Sequence, residues 1–362
     1  MRFGLFLMPS HPPERPTAEA IDWDLSVVER ADQLGFHEAW FGEHFTAPWE
    51  PLPAHDLIIA QALQRTSRMT MCSGAYLLPF HHPAELALRI AQLDHMAQGR
   101  YILGIGAGSI PTDFRLFNID AEAGQQRAMT KEALEIMVRL WTDPDPWEYR
   151  GRFWTVNSPE PYLAYGRHLQ PFQRPHPPIA VAGLSPRSET LRLAGECGYI
   201  PLSLTFNAQY LRGHWDVIEE GAASTGATCS RQDWRVIRDI IVADTDKEAR
   251  QLATESLMAR HWRDQNFPLL EQFDWVRYLK HSDSVPDADV DVDYLADHVW
   301  LVGSPDTVAE RLGETAEVLG GFGTVIANCY DFADQSDQWM RSLELLATEV
   351  MPRFQVTTGV AP

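Results

Sequence analysis

Glu43 and His44 stand side by side at the end of a short apolar stretch, GFHEAWFGEHF. An imidazole titrates near neutral pH, and an adjacent carboxylate can orient it, which is a common arrangement for general base catalysis. A polar pair after a strand can also be an ordinary solvated loop. The neighbouring Phe45 and Trp49 give this loop an apolar character that solvated loops seldom have. We therefore treat His44 as the candidate catalytic residue.

Small residues interrupt a second apolar stretch, SGAYLLPFHHP, at Ser73, Gly74 and Ala75. Glycine inside a strand often marks a bulge or the close approach of a ligand to the backbone. A flat ring could lie against these residues. A barrel corner relieved by glycine explains them equally well. His82 precedes Pro83 and fits the residue before a helix that begins at proline.

A possible anion site follows another strand-like run, AVAGLSPRSET. We predict Ser185 as a helix N-cap with Pro186 at the first helical position and Arg187 as a local positive charge. The free N–H groups of a helix N-terminus can hold a phosphate, although a capping serine alone is commonplace. A second Ser-Pro start, at Ser304, is followed by Asp306, which would repel an anion. We predict that Ser304 is a cap only.

The glycines of YILGIGAGSIP, residues 101–111, are spaced GxGxG. A dinucleotide fingerprint requires GxGxxG and an acidic residue about twenty positions later. Neither requirement is met. The run instead predicts a small-residue surface at the end of a strand, against which something bulky can lie.

Eight apolar runs are predicted strands, and helix-like stretches that end near a glycine precede several of them. They are residues 2–7, 37–42, 69–78, 101–106, 178–183, 199–204, 234–243 and 323–329. Amphipathic helices are predicted at residues 18–34 and 83–97. Strands that alternate with helices pair in parallel, and eight such units predict a (β/α)8 TIM barrel. A doubly wound open sheet is the alternative. Active sites of such barrels lie at the C-terminal ends of the strands, where His44 stands.

The chain has 362 residues, whereas a barrel of this kind needs about 250. We predict one barrel domain over residues 1–362, with the excess length in two insertions at residues 142–178 and 264–297. The first insertion is rich in proline and tryptophan, and the second in aspartate and aromatic residues.

The composition argues against several classes of partner. Fifty acidic and thirty basic residues give a net charge of -20, which repels nucleic acid and anionic membranes. The N-terminus lacks the apolar region of a signal peptide, and no window has the apolar length of a membrane span. The four cysteines are dispersed and are predicted to be buried thiols; they are Cys72, Cys197, Cys229 and Cys329. We expect a soluble, cytoplasmic protein.

A metal-dependent hydrolase barrel is a competing interpretation, because several potential ligands occur near the predicted strand ends. They are Glu43, His44, His55, His82 and Asp94. However, the first strand ends in PSHPP, without the HxH pair of such enzymes, and no three ligands have convincing metal spacing. We therefore predict no metal.

Six stretches together resemble the bacterial luciferase-like flavin monooxygenases. They are RFGLFLMP, AWFGEHF, LLPFHHP, LDHMAQGRYILGIGAG, AVAGLSPRSETLRLAGECG and VGSPDTVAERL. GEHF, LLPFHHP and LDHMAQGR look closest to the branch of limonene and diketocamphane monooxygenases. The resemblance implies a (β/α)8 barrel that uses reduced FMN, delivered by a separate NAD(P)H:flavin reductase, and molecular oxygen. It also implies a homodimer.

The resemblance assigns roles residue by residue. His44 becomes the catalytic histidine near the flavin ring, and Ser73, Gly74 and Ala75 become the strand bulge against that ring, which in the family often includes a non-prolyl cis peptide. The ribityl phosphate would lie at Val181, Ala182, Gly183, Leu184, Ser185 and Ser188. Phe45 replaces the second histidine of luciferase and Ala107 replaces an arginine, which argues against light emission with a long-chain aldehyde.

Aromatic residues near the predicted active-site end suggest an uncharged substrate, such as a terpene, a cyclic ketone or an aldehyde. We predict a substrate pocket formed by Phe45, Trp49, Phe80 and Phe206. Two alternatives keep the same barrel. A deazaflavin-dependent oxidoreductase would transfer hydride instead of activating oxygen, and a non-enzymatic flavin-binding protein would need no histidine at the flavin.

Overall fold

The eight predicted strands are buried along nearly their whole length, as parallel strands covered on both faces require. The structure is a computed structural model and describes residues 1–8, 10–204 and 206–354. Its strands are β1 (Arg2–Leu7), β2 (Glu38–Phe41), β3 (Thr70–Ser73), β4 (Tyr76–Leu77), β5 (Tyr101–Gly106), β6 (Trp147–Arg150), β7 (Thr155–Ser158), β8 (Ile179–Gly183), β9 (Ile200–Ser203), β10 (Arg235–Val242), β11 (Leu301–Gly303) and β12 (Thr324–Cys329).

Helices follow the strands and cover the outside of the sheet. They are α1 (Thr17–Leu34), α2 (His55–Arg65), α3 (Pro83–Ala97), α4 (Pro111–Leu116), α5 (Gln125–Thr142), α6 (Glu189–Cys197), α7 (Ala208–Thr225), α8 (Asp246–Glu255), α9 (Leu257–His261), α10 (Phe267–Gln272), α11 (Val292–His298), α12 (Pro305–Leu319) and α13 (Ser336–Leu345). None of the helices among the described residues is long and apolar enough to cross a membrane.

The main sheet closes on itself. Its parallel strands follow the order β12, β1, β2, β3, β5, β8, β9, β10, and the pairing of β10 with β12 completes the ring. The (β/α)8 barrel prediction is confirmed, and the open doubly wound alternative is wrong. Each of the eight predicted runs supplies one strand of the ring.

Each ring strand contributes one inward-facing side chain to a buried layer across the barrel. These residues are Phe6, Trp40, Cys72, Ile102, Ala180, Leu202, Ile237 and Ile326. Two positions earlier on β2 and β10, Glu38 and Arg235 form a buried ion pair with 2.8 Å between Oε1 and Nη2. The barrel interior is therefore filled below its C-terminal end.

Left-handed C-caps end several helices, as predicted. Gly35, Gly198 and Gly320 take this role after α1, α6 and α12, with φ of 88°, 66° and 69°. Helix α3 differs, because Gln98 is its cap with φ of 52° and Gly99 follows it. The helix beginning at Pro83 is confirmed, and so is Ser304 as the cap of α12.

Three strands were not predicted. β6 and β7 form an antiparallel hairpin inside the first insertion, and β11 pairs with β10 beside the ring. The second insertion contains α10 and the start of α11. The prediction of four buried thiols holds for Cys72 and Cys329 but is wrong for Cys197, the last residue of α6, which is exposed, and for the partly exposed Cys229.

Candidate active site

A cavity of about 860 Å³ lies at the C-terminal ends of the ring strands. Residues that end or follow six of the eight ring strands line it, including Met8 after β1, His44 after β2, Gly106 on β5 and Leu204 after β9. Functional sites of (β/α)8 barrels occur at this face because the loops there can vary without disturbing the barrel. The cavity is therefore the candidate site.

His44 lines this cavity between two carboxylates. Its Nδ1 lies 3.3 Å from Oδ2 of Asp113 on α4, and its Nε2 lies 3.5 Å from Oε2 of Glu50 in the loop after β2. The imidazole is 8% exposed, so water screens these charges weakly. The backbone N–H of Phe45 and the hydroxyl of Thr46 both donate to Asp113, which fixes that carboxylate.

The charges around His44 favour its imidazolium form. Burial alone lowers the pKa of His44, but Glu50, Asp113 and Glu43 outweigh burial, and the pKa is raised. Burial raises the pKa of Glu50. In Asp113, hydrogen bonds from His44 and Thr46 overcome the effect of burial, and the pKa is lowered. The arrangement thus suits a proton donor or a positive charge better than the general base suggested by sequence.

Glu43 makes a different set of contacts from its neighbour. Its Oε2 accepts the backbone N–H of Leu77 at 2.8 Å, and its Oε1 lies 3.0 Å from Nε2 of His81. His55 is buried beside it, with 3.7 Å between Nδ1 and Oε1. Glu43 therefore anchors the segment that follows β3.

One wall of the cavity consists of small residues. Gly74 and Ala75 follow β3 and are joined by a non-prolyl cis peptide bond, as the resemblance suggested. Gly106, Ala107 and Gly108 of the fourth ring strand and its loop continue the wall. Both small-residue motifs predicted from sequence thus face one cavity.

Ser73 is the exception among the predicted wall residues. It is fully buried, and its hydroxyl donates to the carbonyl of Gly104 at 3.1 Å and accepts the N–H of Gly104 at 2.9 Å. The hydroxyl of Tyr101 lies 3.2 Å away. Ser73 holds β3 to β5 behind the wall instead of lining the cavity.

The predicted anion turn also reaches the cavity, with one correction. Ser188, not Ser185, caps α6, and its Oγ accepts the N–H of Leu191 at 3.2 Å. The chain leaving β8 needs a turn at 185–187 before it can enter the helix, so the helix begins at Glu189. Among the predicted phosphate contacts, Ala182, Gly183, Leu184, Ser185 and Ser188 line the cavity. Val181 does not, because its side chain is buried in the outer core.

Three arginines line the same cavity. Arg187 is exposed and its Nη2 is 2.6 Å from Oε2 of Glu220, so its charge is largely compensated. Arg115 and Arg127 come from α4 and α5. Sequence reasoning predicted Arg187 but missed Arg115 and Arg127, because single arginines on helices are ordinary surface residues.

The structure brings none of the four predicted pocket aromatics to the cavity. Phe45 packs against Phe80, with 5.3 Å between ring centroids, Trp49 stacks on His261, and Phe206 packs against Tyr210. These aromatic side chains bury each other. The apolar lining comes from other residues: Phe6, Met8, Leu77, Phe114, Ile119, Leu204, Phe273 and Trp275.

Comparisons with known proteins show the family of this chain. The chain matches the model of the luciferase-like monooxygenases over residues 1–321. It is 35% identical over 366 residues to 2,5-diketocamphane 1,2-monooxygenase 2 of Pseudomonas putida, covering 99% of this chain and 100% of that protein. It is 30% identical over 366 residues to limonene 1,2-monooxygenase of Rhodococcus erythropolis, covering 99% and 87% respectively.

A solved structure is similar throughout. It is described as a type II Baeyer-Villiger monooxygenase, the oxygenating constituent of 3,6-diketocamphane monooxygenase from the CAM plasmid of Pseudomonas putida, in complex with FMN. The two chains superpose with a TM-score of 0.92 at 33% identity, over 99% of each. With the family match and relatives of 30% identity or more that are covered over most of their length, this chain belongs to the luciferase-like monooxygenase family.

Proposed function

We propose that this protein is a flavin-dependent monooxygenase that uses reduced FMN and molecular oxygen to oxygenate a small apolar organic substrate. One observation carries the proposal. His44, the wall of Gly74 and Ala75, and the turn ending at Ser188 line a single cavity although they are far apart in sequence.

The residues present fit FMN. The flat ring would lie against the small-residue wall, where side chains larger than methyl groups are absent at Gly74, Ala75, Gly106 and Ala107. The phosphate would lie at the N-terminus of α6, which favours anions. A Cβ on Gly183 would lie 2.6 Å from Oγ of Ser188, so glycine is what allows this turn to approach β8 so closely.

When bound, reduced FMN supplies the electrons that activate oxygen. The protein supplies position, charge and exclusion of water. The imidazolium of His44 holds a proton at the cavity surface between Glu50 and Asp113 and can stabilise negative charge that develops on oxygen. Apolar side chains such as Leu204 and Trp275 keep water from the reacting atoms.

The apolar part of the lining supports the proposed substrate class. Phe114, Phe273 and Trp275, with Met8 and Leu204, offer mainly apolar contacts, which suit a cyclic ketone, a terpene or an aldehyde. A related structure is described as an oxygenating constituent, which supports a separate flavin reductase as the partner. The homodimer, the cytoplasmic location and the single-domain assignment stay predictions.

The decisive experiment supplies chemically reduced FMN, ¹⁸O₂ and a panel of cyclic ketones, terpenes and aldehydes to the purified protein. We expect a product that carries one labelled oxygen atom, identified by mass spectrometry. Parallel reactions with a reduced deazaflavin under nitrogen test the hydride-transfer alternative. Substrate reduction in those reactions, without labelled product from the FMN reactions, would show that the proposal is wrong.

A further inference from the structure

We propose that Glu50 is a positioning residue that acts on His44 from outside the cavity, and that Gln265 holds the Glu50 carboxylate in the orientation this requires. The consequence for catalysis rests on the proposed function, whereas the contact itself can be tested without flavin or substrate.

Glu50 faces His44 directly. Its Oε2 lies 3.5 Å from Nε2 of His44, and its Oε1 accepts a hydrogen bond of 2.7 Å from Nε2 of Gln265. Glu50 is 6% exposed and is not among the residues that line the cavity. Within the described part of the chain, Oε2 has no hydrogen-bond partner. The imidazole of His44 is therefore the group best placed to donate a hydrogen bond to this buried oxygen.

Three carboxylates surround His44, and they are not equivalent. Glu43 is engaged by Leu77 and His81, and Asp113 by Phe45 and Thr46 as well as by His44. These donors keep both carboxylates in place whatever the charge on the imidazole. Glu50 has only the amide of Gln265 on one oxygen within the described residues, so its ionisation depends on that donor and on His44.

Gln265 comes from a different part of the chain. It lies in the π-helical turn Trp262–Asn266, between α9 and α10. Phe273 and Trp275, which line the cavity, follow on the same segment. The contact thus connects His44 to the segment that supplies much of the apolar wall.

The sign of the effect follows from electrostatics. An ionised Glu50 favours the imidazolium, and burial opposes ionisation of Glu50 while the Gln265 amide and His44 support it. Replacing Glu50 by glutamine removes the negative charge. Replacing Gln265 by leucine removes the hydrogen-bond donor and favours neutral Glu50. It therefore also weakens the electrostatic stabilisation of the His44 imidazolium, but to a smaller extent.

The test is an NMR titration of labelled histidine side chains in the flavin-free full-length protein, with the His44→Gln variant used to assign the His44 signal. We expect Glu50→Gln to lower the pKa of His44 by about one unit or more, and Gln265→Leu to lower it by less. Glu310→Gln, an exposed change on α12, serves as the control and should leave it unchanged. An unchanged pKa of His44 in folded Glu50→Gln overturns the proposal. If Glu50→Gln does not fold, an unchanged pKa of His44 in Gln265→Leu overturns it.

A second measurement compares product formed per reduced FMN consumed across pH. In Glu50→Gln we expect this ratio to decline at a lower pH than in the wild type, because His44 loses its proton earlier. An identical pH profile overturns the positioning role. If the wild type forms no product, the proposed function fails, while the titration still decides whether Glu50 acts on His44.

Discussion

The carboxylate of Glu43 bonds to the backbone of Leu77, 34 positions further along the chain, while the adjacent His44 contacts Asp113. Both residues line the cavity, but Glu43 also anchors the segment after β3, whereas His44 pairs with the carboxylates around it. The partners that set the charge of His44 are Asp113 on α4 and Glu50 on the following loop. The polar pair therefore lies at the cavity, but its sequence does not reveal the chemistry there.

Replacing His44 by alanine should uncouple oxidation of reduced FMN from product formation. We expect product per flavin to fall about 100-fold or more, because a positioned proton-transfer group typically contributes that much. Hydrogen peroxide should account for the missing oxygen. His82→Ala is the control, since His82 is exposed and does not line the cavity. Unchanged coupling in His44→Ala would remove this residue from the mechanism.

Ser188 should matter for both stability and flavin binding. Ser188→Ala removes the cap of α6 and should lower the free energy of unfolding by about 1 kcal/mol. It should also weaken FMN binding about tenfold, which corresponds to about 1.4 kcal/mol, in a fluorescence titration.

Ser304→Ala is the matched control for that change, because Ser304 caps α12 and does not line the cavity. It should cost similar stability and leave FMN affinity unchanged. Equal effects of the two variants on FMN affinity would show that the turn at Ser188 does not hold the flavin.

Gly104 should be intolerant of any side chain. A Cβ at this position would lie 2.0 Å from the carbonyl oxygen of Ser73, so β3 and β5 would have to separate. We expect Gly104→Ala to lower the free energy of unfolding by about 3 kcal/mol in urea denaturation. Gly313→Ala, in α12 with open space around the new Cβ, should raise it by about 0.5 to 1 kcal/mol. A neutral Gly104→Ala would contradict the packing described for β3 and β5.

His11 should make stability fall in alkaline solution. It is buried between Asp24 and Asp331, at 3.2 and 2.9 Å. Burial alone lowers the pKa of His11, but the two carboxylates outweigh burial and raise it from 6.5 to about 9. Burial also raises the pKa of Asp24, against the influence of His11, so the alkaline change is assigned to the imidazole.

Because the pKa of His11 is higher in the folded protein, its stabilisation is complete below about pH 6.5 and is lost as pH rises through about 9. At about 1.4 kcal/mol per unit, the loss is on the order of 3 kcal/mol. Urea denaturation between about pH 6 and about pH 10, a range that brackets both pKa values, should show this decline. The decline should be absent in His11→Gln, and an equal slope in that variant would rule out His11 as its source.

Sequence patterns predicted the barrel because long apolar runs and glycine caps are local signals. The bounds of the predicted runs agree with those of the ring strands to within one or two residues at the majority of their ends. β11 has only three residues, and the β6–β7 hairpin is half exposed, so neither has the long apolar run by which the ring strands were predicted.

The site was harder to predict because tertiary contacts decide it. Asp113 and Glu50 approach His44, and Gln265 approaches Glu50, only after the chain has folded, and nothing in their local sequence indicates it. Phe45 and Phe80 were predicted to line a substrate pocket because they are aromatic. They are indeed in apolar surroundings, but they pack against each other between two loops.

The filled barrel interior limits the route by which ligands can reach the cavity. Below the small-residue wall, the layer that includes Phe6, Trp40 and Ile326 leaves no axial passage among the described residues, so the cavity is a dead end. Ligands therefore enter and leave the cavity from the C-terminal side of the barrel.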